Sequence, residues 1–287
     1  MRRFVLAVIL ALAVACPAYA LVPEWDSNNL MVDVEYSYAK KDVESVPVVG
    51  VDIGSFASVN AVEQISDLKV WRTLVNIGYQ ISPQLTPYIV AGNSWMNFDQ
   101  NLVGSASIGS WSGSLPLLNR EYRGAYGFTV GGGLKGELIE FKNGIGIDYD
   151  ARWTTFNSST NDTEANLIGL IPLDDKMKAS LGEFNFDMAV SKFFDLTKKN
   201  EDGTVKKPLG VDGVKPFMGF RWTHSDLNVK NSVSVLGISI GTEQELQGNM
   251  LSALMGAEVK ITKNFSASVG GVIGDETGVM LKGTVRF

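Results

Sequence analysis

The stretch 265–287 alternates with period two. Phe265, Ala267, Val269, Gly271 and Ile273 share one face, and Ser266, Ser268, Gly270 and Val272 share the other. After Gly274-Asp275-Glu276-Thr277-Gly278 the alternation resumes, with Val279, Leu281, Gly283, Val285 and Phe287 against Met280, Lys282, Thr284 and Arg286. Successive side chains of a strand point to opposite faces, so this pattern predicts two strands joined by a tight turn. One face is apolar or glycine and the other carries charge. A chain written this way must find an apolar surround for one face and a polar one for the other.

The same signature recurs from residue 30 onward. Leu30, Val32, Val34, Tyr36 and Tyr38 alternate with Met31, Asp33, Glu35 and Ser37. Trp71, Thr73, Val75, Ile77 and Tyr79 alternate with Arg72, Leu74, Asn76, Gly78 and Gln80. Ser82-Pro83-Gln84 marks a turn into a third strand over 85–98, whose two faces are both mixed. Tyr126, Phe128, Val130, Gly132, Leu134 and Leu138 form one face of a fourth strand, with Lys135 and Glu137 opposite. Phe141-Lys142-Asn143-Gly144 contains Asn-Gly, a strong hairpin signal. The fifth strand sets Ile145, Ile147, Tyr149, Ala151 and Trp153 against Gly146, Asp148, Asp150, Arg152 and Thr154. The sixth sets Gly182, Phe184, Phe186, Met188 and Val190 against Glu183, Asn185, Asp187 and Ser191. The seventh runs from Lys215 to about Asp226, with Met218, Phe220 and Trp222 against Gly219, Arg221 and Thr223. The eighth sets Leu251, Ala253, Met255, Ala257, Val259 and Ile261 against Ser252, Gly256, Glu258 and Lys260. With the terminal hairpin the total is about ten strands. Long connections follow strands one, three, five and seven. Short turns follow strands two, four, eight and nine, and the long link after strand six departs from the rule.

The first residues set the compartment. Met1-Arg2-Arg3 is a positive lead, 4–15 is a short apolar run, and Ala18-Tyr19-Ala20 fits a small-residue cleavage site, with Ala18 and Ala20 as its small residues. Residues 1–20 therefore read as a secretory signal peptide and 21–287 as one folded domain. A retained anchor helix, or acylation at Cys16, are the alternatives. The apolar run is short for a span, and Ala13 stands where a lipoprotein signal usually has leucine. Cys16 is the only cysteine, so the remainder can form neither a disulfide framework nor a thiolate metal site. Taking Arg2 and Arg3 from 25 basic residues against 31 acidic ones leaves a net charge of about −8, which argues against nucleic-acid binding. Beyond the leader no apolar run approaches the ~20 residues that a membrane helix needs.

Short turns alternating with long connections, an even strand number and a strand ending on Phe287 together resemble bacterial outer-membrane β-barrels, whose last strand is read by the barrel-assembly machinery. The resemblance covers almost the whole domain. It implies an all-β, antiparallel up-and-down transmembrane barrel of about ten strands, or twelve if 46–59 and 232–240 add a hairpin. It also implies the outer membrane of a Gram-negative-type bacterium, with outer-membrane lipids and the assembly machinery as partners. Aromatics near strand ends, such as Tyr38, Trp71, Trp95 and Trp222, suit the membrane interfaces. A soluble sandwich or calycin-like barrel is the alternative, with the apolar face turned inward.

In such a barrel the charged face lines the lumen. The candidates are Asp33, Glu35, Glu137, Asp148, Asp150, Glu183, Asp187 and Glu258 with Arg72, Lys135, Arg152, Arg221, Lys260, Lys282 and Arg286. In a narrow barrel these pair across the lumen and plug it, or else they line a weakly selective channel for small solutes. Ten strands also invites comparison with the omptins, outer-membrane proteases that use an acidic pair and an Asp-His pair. Asp148 with Asp150, and His224 with Asp226, are the counterparts. The first pair follows a short turn, however, and His224 shares parity with the apolar face. A lipid-modifying mechanism would need a serine near His224, and Ser225 falls on the opposite face. No metal-ligand spacing appears, and no cofactor is expected. The expectation is a non-enzymatic, small porin-like or structural surface protein with a charged, plugged or open lumen. The runner-up is an adhesin or surface receptor binding ligands through 39–67, 99–123, 158–178 and 226–248. An omptin-like or lipid-modifying enzyme comes third.

Overall fold

The structure, a computed structural model, describes residues 29–41, 46–53, 57–108, 111–124, 126–160, 163–167, 171–199, 205–206, 210–235 and 238–287. The leader expected over 1–20 lies outside the described residues. The strands are β1 (Leu30–Lys41), β2 (Val46–Ile53), β3 (Ala57–Tyr79), β4 (Thr86–Ile108), β5 (Trp111–Arg123), β6 (Gly127–Glu140), β7 (Ile145–Thr160), β8 (Thr163–Leu167) and β9 (Ile171–Lys192). There follow β10 (Phe194–Asp195), β11 (Lys198–Lys199), β12 (Val205–Lys206), β13 (Gly213–Val235), β14 (Ile238–Thr262), β15 (Phe265–Gly274) and β16 (Glu276–Arg286).

Ten of them close a barrel in the order β1-β3-β4-β6-β7-β9-β13-β14-β15-β16, each neighbour antiparallel. The ring shuts where β16 pairs with β1, from Met31 opposite Arg286 to Lys41 opposite Glu276. Closure satisfies backbone groups between strands and leaves the ring no free edge, the condition for crossing a bilayer without helices. The fold is the all-β up-and-down barrel of ten strands that the alternation predicts.

The period-two pattern sorts the side chains. On β1, Met31, Asp33, Glu35, Ala39 and Lys41 are buried while Val34 and Tyr36 are exposed. Ile89, Phe128, Met218, Leu251 and Val279 likewise present large apolar surface outward. In water such a belt would be costly, and in lipid it is the solvent-facing side. Along one edge of the belt runs an aromatic row crossing neighbouring strands. Tyr38, Trp71, Trp95 and Tyr126 follow one another with ring centroids 5.2, 5.4 and 5.2 Å apart. Elsewhere on the wall Trp222 lies 5.9 Å from Phe184 and 6.3 Å from His224. Amphipathic rings in such a row mark the outer membrane interface.

Three expectations about the connections change. The regions taken as long loops are largely β-structure. The β3–β4 ladder runs up to Ala57 opposite Ile108, and β13–β14 continues to Val235 opposite Ile238. β14 has 25 residues, more than twice the ~9–11 that span a bilayer. Backbone pairing needs no lipid, so the ladders continue outward. The apolar alternation fades there because water surrounds the wall on its outer side. β2, β5 and β8 belong to these extensions and add no staves to the ring, so 46–59 and 232–240 do not raise the count to twelve. The terminal turn is also shorter than the sequence suggests: only Asp275 separates β15 from β16, and Glu276 belongs to the strand. The third strand, ambiguous in sequence, turns Tyr88, Val90, Ser94, Met96 and Phe98 inward and leaves Ile89 outside.

Two local devices hold the pattern. Gly144 has φ 74°, which lets the Asn-Gly turn between β6 and β7 close. On β3 the register shifts between Ser66 and Lys69, where Asp67 has φ 57°. This bulge keeps both Ile65 and Leu68 buried, although strict alternation would separate them.

Candidate functional site

The lumen is layered. Nearest the periplasmic end, Lys135 Nζ donates to Asp33 Oδ2 at 2.5 Å, Lys215 Nζ to Asp148 Oδ1 at 3.0 Å, and the Tyr88 hydroxyl to Asp150 Oδ1 at 2.5 Å. One level up, Arg152 Nη1 donates to Glu35 Oε2 at 2.7 Å. Arg221 grips Asp187 with both Nε and Nη2 at 2.7 Å. This two-pronged geometry is among the stronger charge-assisted contacts. Its remaining Nη1 lies 3.7 Å from Glu276 Oε1. Above that, Glu183 accepts from both Lys41 and Arg72, and Lys41 reaches Glu276 Oε2 at 3.2 Å. Ser225 Oγ donates to Glu183 at 3.3 Å, and Thr223 Oγ1 lies 2.8 Å from Asn185 Oδ1.

The top layer is apolar. Ile65, Leu68, Val70, Met96, Phe98, Tyr122, Phe156, Ala179, Leu181, Leu227, Val229 and Leu246 form one buried cluster inside the wall. Phe98 and Tyr122 stack with centroids 4.6 Å apart. The cluster sits on the same inward parity as the charges. Val70 precedes Arg72, Phe156 follows Arg152 and Thr154, and Leu181 precedes Glu183. β3, β7, β9 and β13 thus change their inner face from charged to apolar as they leave the bilayer.

All fifteen charges singled out in sequence lie on this inner face, in two groups. Asp33, Glu35, Arg72, Lys135, Asp148, Asp150, Arg152, Glu183, Asp187 and Arg221 enter the contacts above. Glu137, Glu258, Lys282 and Arg286 line a cavity of about 310 Å³ at the periplasmic half. Lys260 lines a second space of about 280 Å³ at the rim, with its Nζ 5.9 Å from the Phe193 ring centroid. Beside Arg72, Arg152 and Arg221 the remaining space is about 20 Å³. Among the described residues the lumen therefore narrows upward. Lys41, Glu276, Tyr88 and Lys215 escaped the sequence reading. Parity could have found three of them: Lys41 continues Asp33 and Glu35, Glu276 precedes Met280 and Lys282, and Lys215 precedes Arg221 at even spacing.

His224 points the other way. Its Nδ1 lies 2.9 Å from Asn249 Oδ1 and its Nε2 3.3 Å from Asp226 Oδ1, on the wall with Trp222. Ser225 is buried on the opposite face. Asp148 and Asp150 lie deep in the lower lumen, far along the strands from His224. Just beyond the aromatic row, Asp67 accepts from Lys69 and pairs with Lys40 at 2.7 Å. These hydrogen bonds, from Lys40 first and then Lys69, hold the Asp67 carboxyl below its ordinary pKa. Among the described residues no group of three His, Cys, Asp or Glu is arranged to hold a metal.

A closed antiparallel barrel, apolar outside, bordered by aromatics and ion-paired inside, is an outer-membrane β-barrel. No protein-family model matches the chain, and no curated protein does. Among solved structures it is similar to the outer membrane protease OmpT from Escherichia coli, with a TM-score of 0.47 and 9% identity over 93% of this chain and 100% of that one. The translocator domain of the autotransporter NalP from Neisseria meningitidis gives 0.41 and 9% identity over 92% and 90%. The outer membrane protein OprG from Pseudomonas aeruginosa gives 0.34 and 10% over 90% and 95%. No activity is carried over from any of them.

Proposed function

We propose that this is a non-conducting, non-enzymatic surface protein, in which the barrel anchors a long β-structured extension above the outer membrane. The observation that carries the reading is the double closure of the lumen. Paired charges fill the level within the bilayer, and the apolar cluster from Ile65 to Leu246 caps it. An ion entering would have to break contacts between buried groups and then cross a dry apolar layer, and hydrophobic constrictions stop conduction by excluding water. The outward direction of His224, and its separation from Asp148 and Asp150, support the absence of an omptin-like mechanism. The partners that follow are outer-membrane lipids around the belt, the assembly machinery during insertion, and surface ligands on the β-extensions.

Planar-bilayer conductance of the refolded chain tests this. Silence in concentrated salt, from protein shown to be folded by heat-modifiable gel migration, is the expected result. Discrete openings that scale with salt and respond to Arg152 substitution would restore the porin-like reading.

A further inference from the structure

The cavity of about 310 Å³ in the lower lumen has a roof and a mouth. Its roof is the level of Arg152 with Glu35 and Arg221 with Asp187. Its mouth is the periplasmic rim, because Glu137, Lys215, Glu258, Thr284 and Arg286 line both this cavity and the rim space. It is a blind chamber open to one side, and its volume is at the small end of the ~300–1,000 Å³ usual for small-molecule sites.

Its lining carries six carboxylates and six cations among the described residues, so it attracts neither an anion nor a cation as such. The pairing leaves some of these groups over. Lys282 stands on β16 opposite Glu35 of β1, and Asp33, Asp150, Glu35 and Glu258 all attract its ammonium. Its ammonium nonetheless makes no hydrogen bond or ion pair within bonding distance of any described residue. Glu35 is 2% exposed: its Oε2 takes the Arg152 bond, and its Oε1, which accepts none, is sealed from the open space. The Glu258 carboxylate, on the same rung as Lys282 with Ser268 between them, has no ion pair among the described residues either. A spare cation, Lys282, and a spare carboxylate, Glu258, thus face one enclosed space. Enclosed charges without partners are costly, and a partner supplying both signs relieves them together.

We propose that the chamber binds a small zwitterion of amino-acid size, its carboxylate on Lys282 and its ammonium on Glu258. A singly charged solute satisfies one side and leaves the other stranded. A neutral solute satisfies neither as strongly. The solute enters from the periplasm and leaves the same way, so binding requires no conduction, and the proposal stands whether or not the barrel proves silent in a bilayer.

The test is isothermal titration of the refolded chain in detergent with L-alanine, and with acetate and methylammonium as single-charge controls. Saturable heat with L-alanine alone is expected. Lys282→Met should weaken it by about tenfold or more, the loss of one charge-assisted contact. Since Lys282 holds no ion pair, the variant should keep the parent's heat-modifiable migration. If it does not, Glu258→Gln is read by the same criterion. No saturable binding, an affinity undiminished in the folded variant, or acetate binding as well as alanine would each overturn the proposal.

Discussion

Glu183→Gln probes the lumen where the most partners converge. The carboxylate is 1% exposed and accepts from Lys41, Arg72 and Ser225. Glutamine keeps the shape and one acceptor oxygen but removes the charge. Lys41 retains Glu276 at 3.2 Å, whereas Arg72 retains no carboxylate within ion-pair distance among the described residues. Breaking a buried pair by neutralising one side costs about 3–5 kcal/mol, because the other charge stays buried without compensation. The surviving Lys41–Glu276 contact and the amide oxygen put the expectation at the lower end, about 3 kcal/mol. That is on the order of a hundredfold in the unfolding equilibrium. Urea unfolding in lipid vesicles, followed by tryptophan fluorescence and run in both directions, measures it. A variant within about 0.5 kcal/mol of the parent, the scale of an ordinary surface change, would mean that water already screens these charges. The dry, closed lumen would then be wrong.

Two further outcomes follow from the wall itself. Asp67→Asn keeps a residue that tolerates the left-handed conformation but loses the carboxylate held by Lys40 and Lys69. A carboxyl whose folded pKa is lowered stabilises above its unfolded pKa and loses that contribution as pH falls through the folded value. The variant should therefore melt slightly below the parent at neutral pH, and the two melting curves should converge in acid. Gly92→Ala would place its Cβ against the Thr73 carbonyl and 2.8 Å from the Leu74 Cα, so β3 and β4 must move apart. A loss of about 1–3 kcal/mol, or a reduced heat-modifiable yield on refolding, is expected, and unchanged stability would contradict the strand spacing.

How far the sequence reaches depends on what surrounds each strand. Within the bilayer the outside demands apolar residues, so the alternation of Val34 and Tyr36 with Asp33 and Glu35 declares both faces at once. Strand count, closure and the inward side of Arg72, Arg152, Glu183 and Arg221 follow from that. Above the aromatic row water bathes the outside, and the apolar residues turn inward instead. Phe156, Leu181, Leu227 and Val229 keep the parity of the charges below them, yet the contrast that identifies a strand is gone. The stretches 158–178 and 226–248 then read as loops, and the apolar cap is hidden at and beyond their edges. Lys41 is hidden for the same reason, since the apolar outer face ends at Tyr38. The bulge at Asp67 adds a second obstacle, because one extra residue reverses the face assignment of everything beyond it.

The seam between β1 and β16 carries a lock of its own. In the observed register Glu35 meets Lys282 and Lys41 meets Glu276, with Asp33 beside Thr284 between them and the rim. A slip by one residue turns one strand's charges toward lipid. A slip by two keeps charges inside but mismatches them. One direction sets Asp33 against Arg286 and Lys41 against Gly278, and the other sets Asp33 against Lys282 and Glu35 against Met280. Either way one matched rung remains where there were two, and Lys41 loses its facing partner. The strands that join the two ends of the ring are thus coded by charge as well as by shape. A nascent barrel that zips shut in the wrong frame gives up one of these facing charge matches in its own interior.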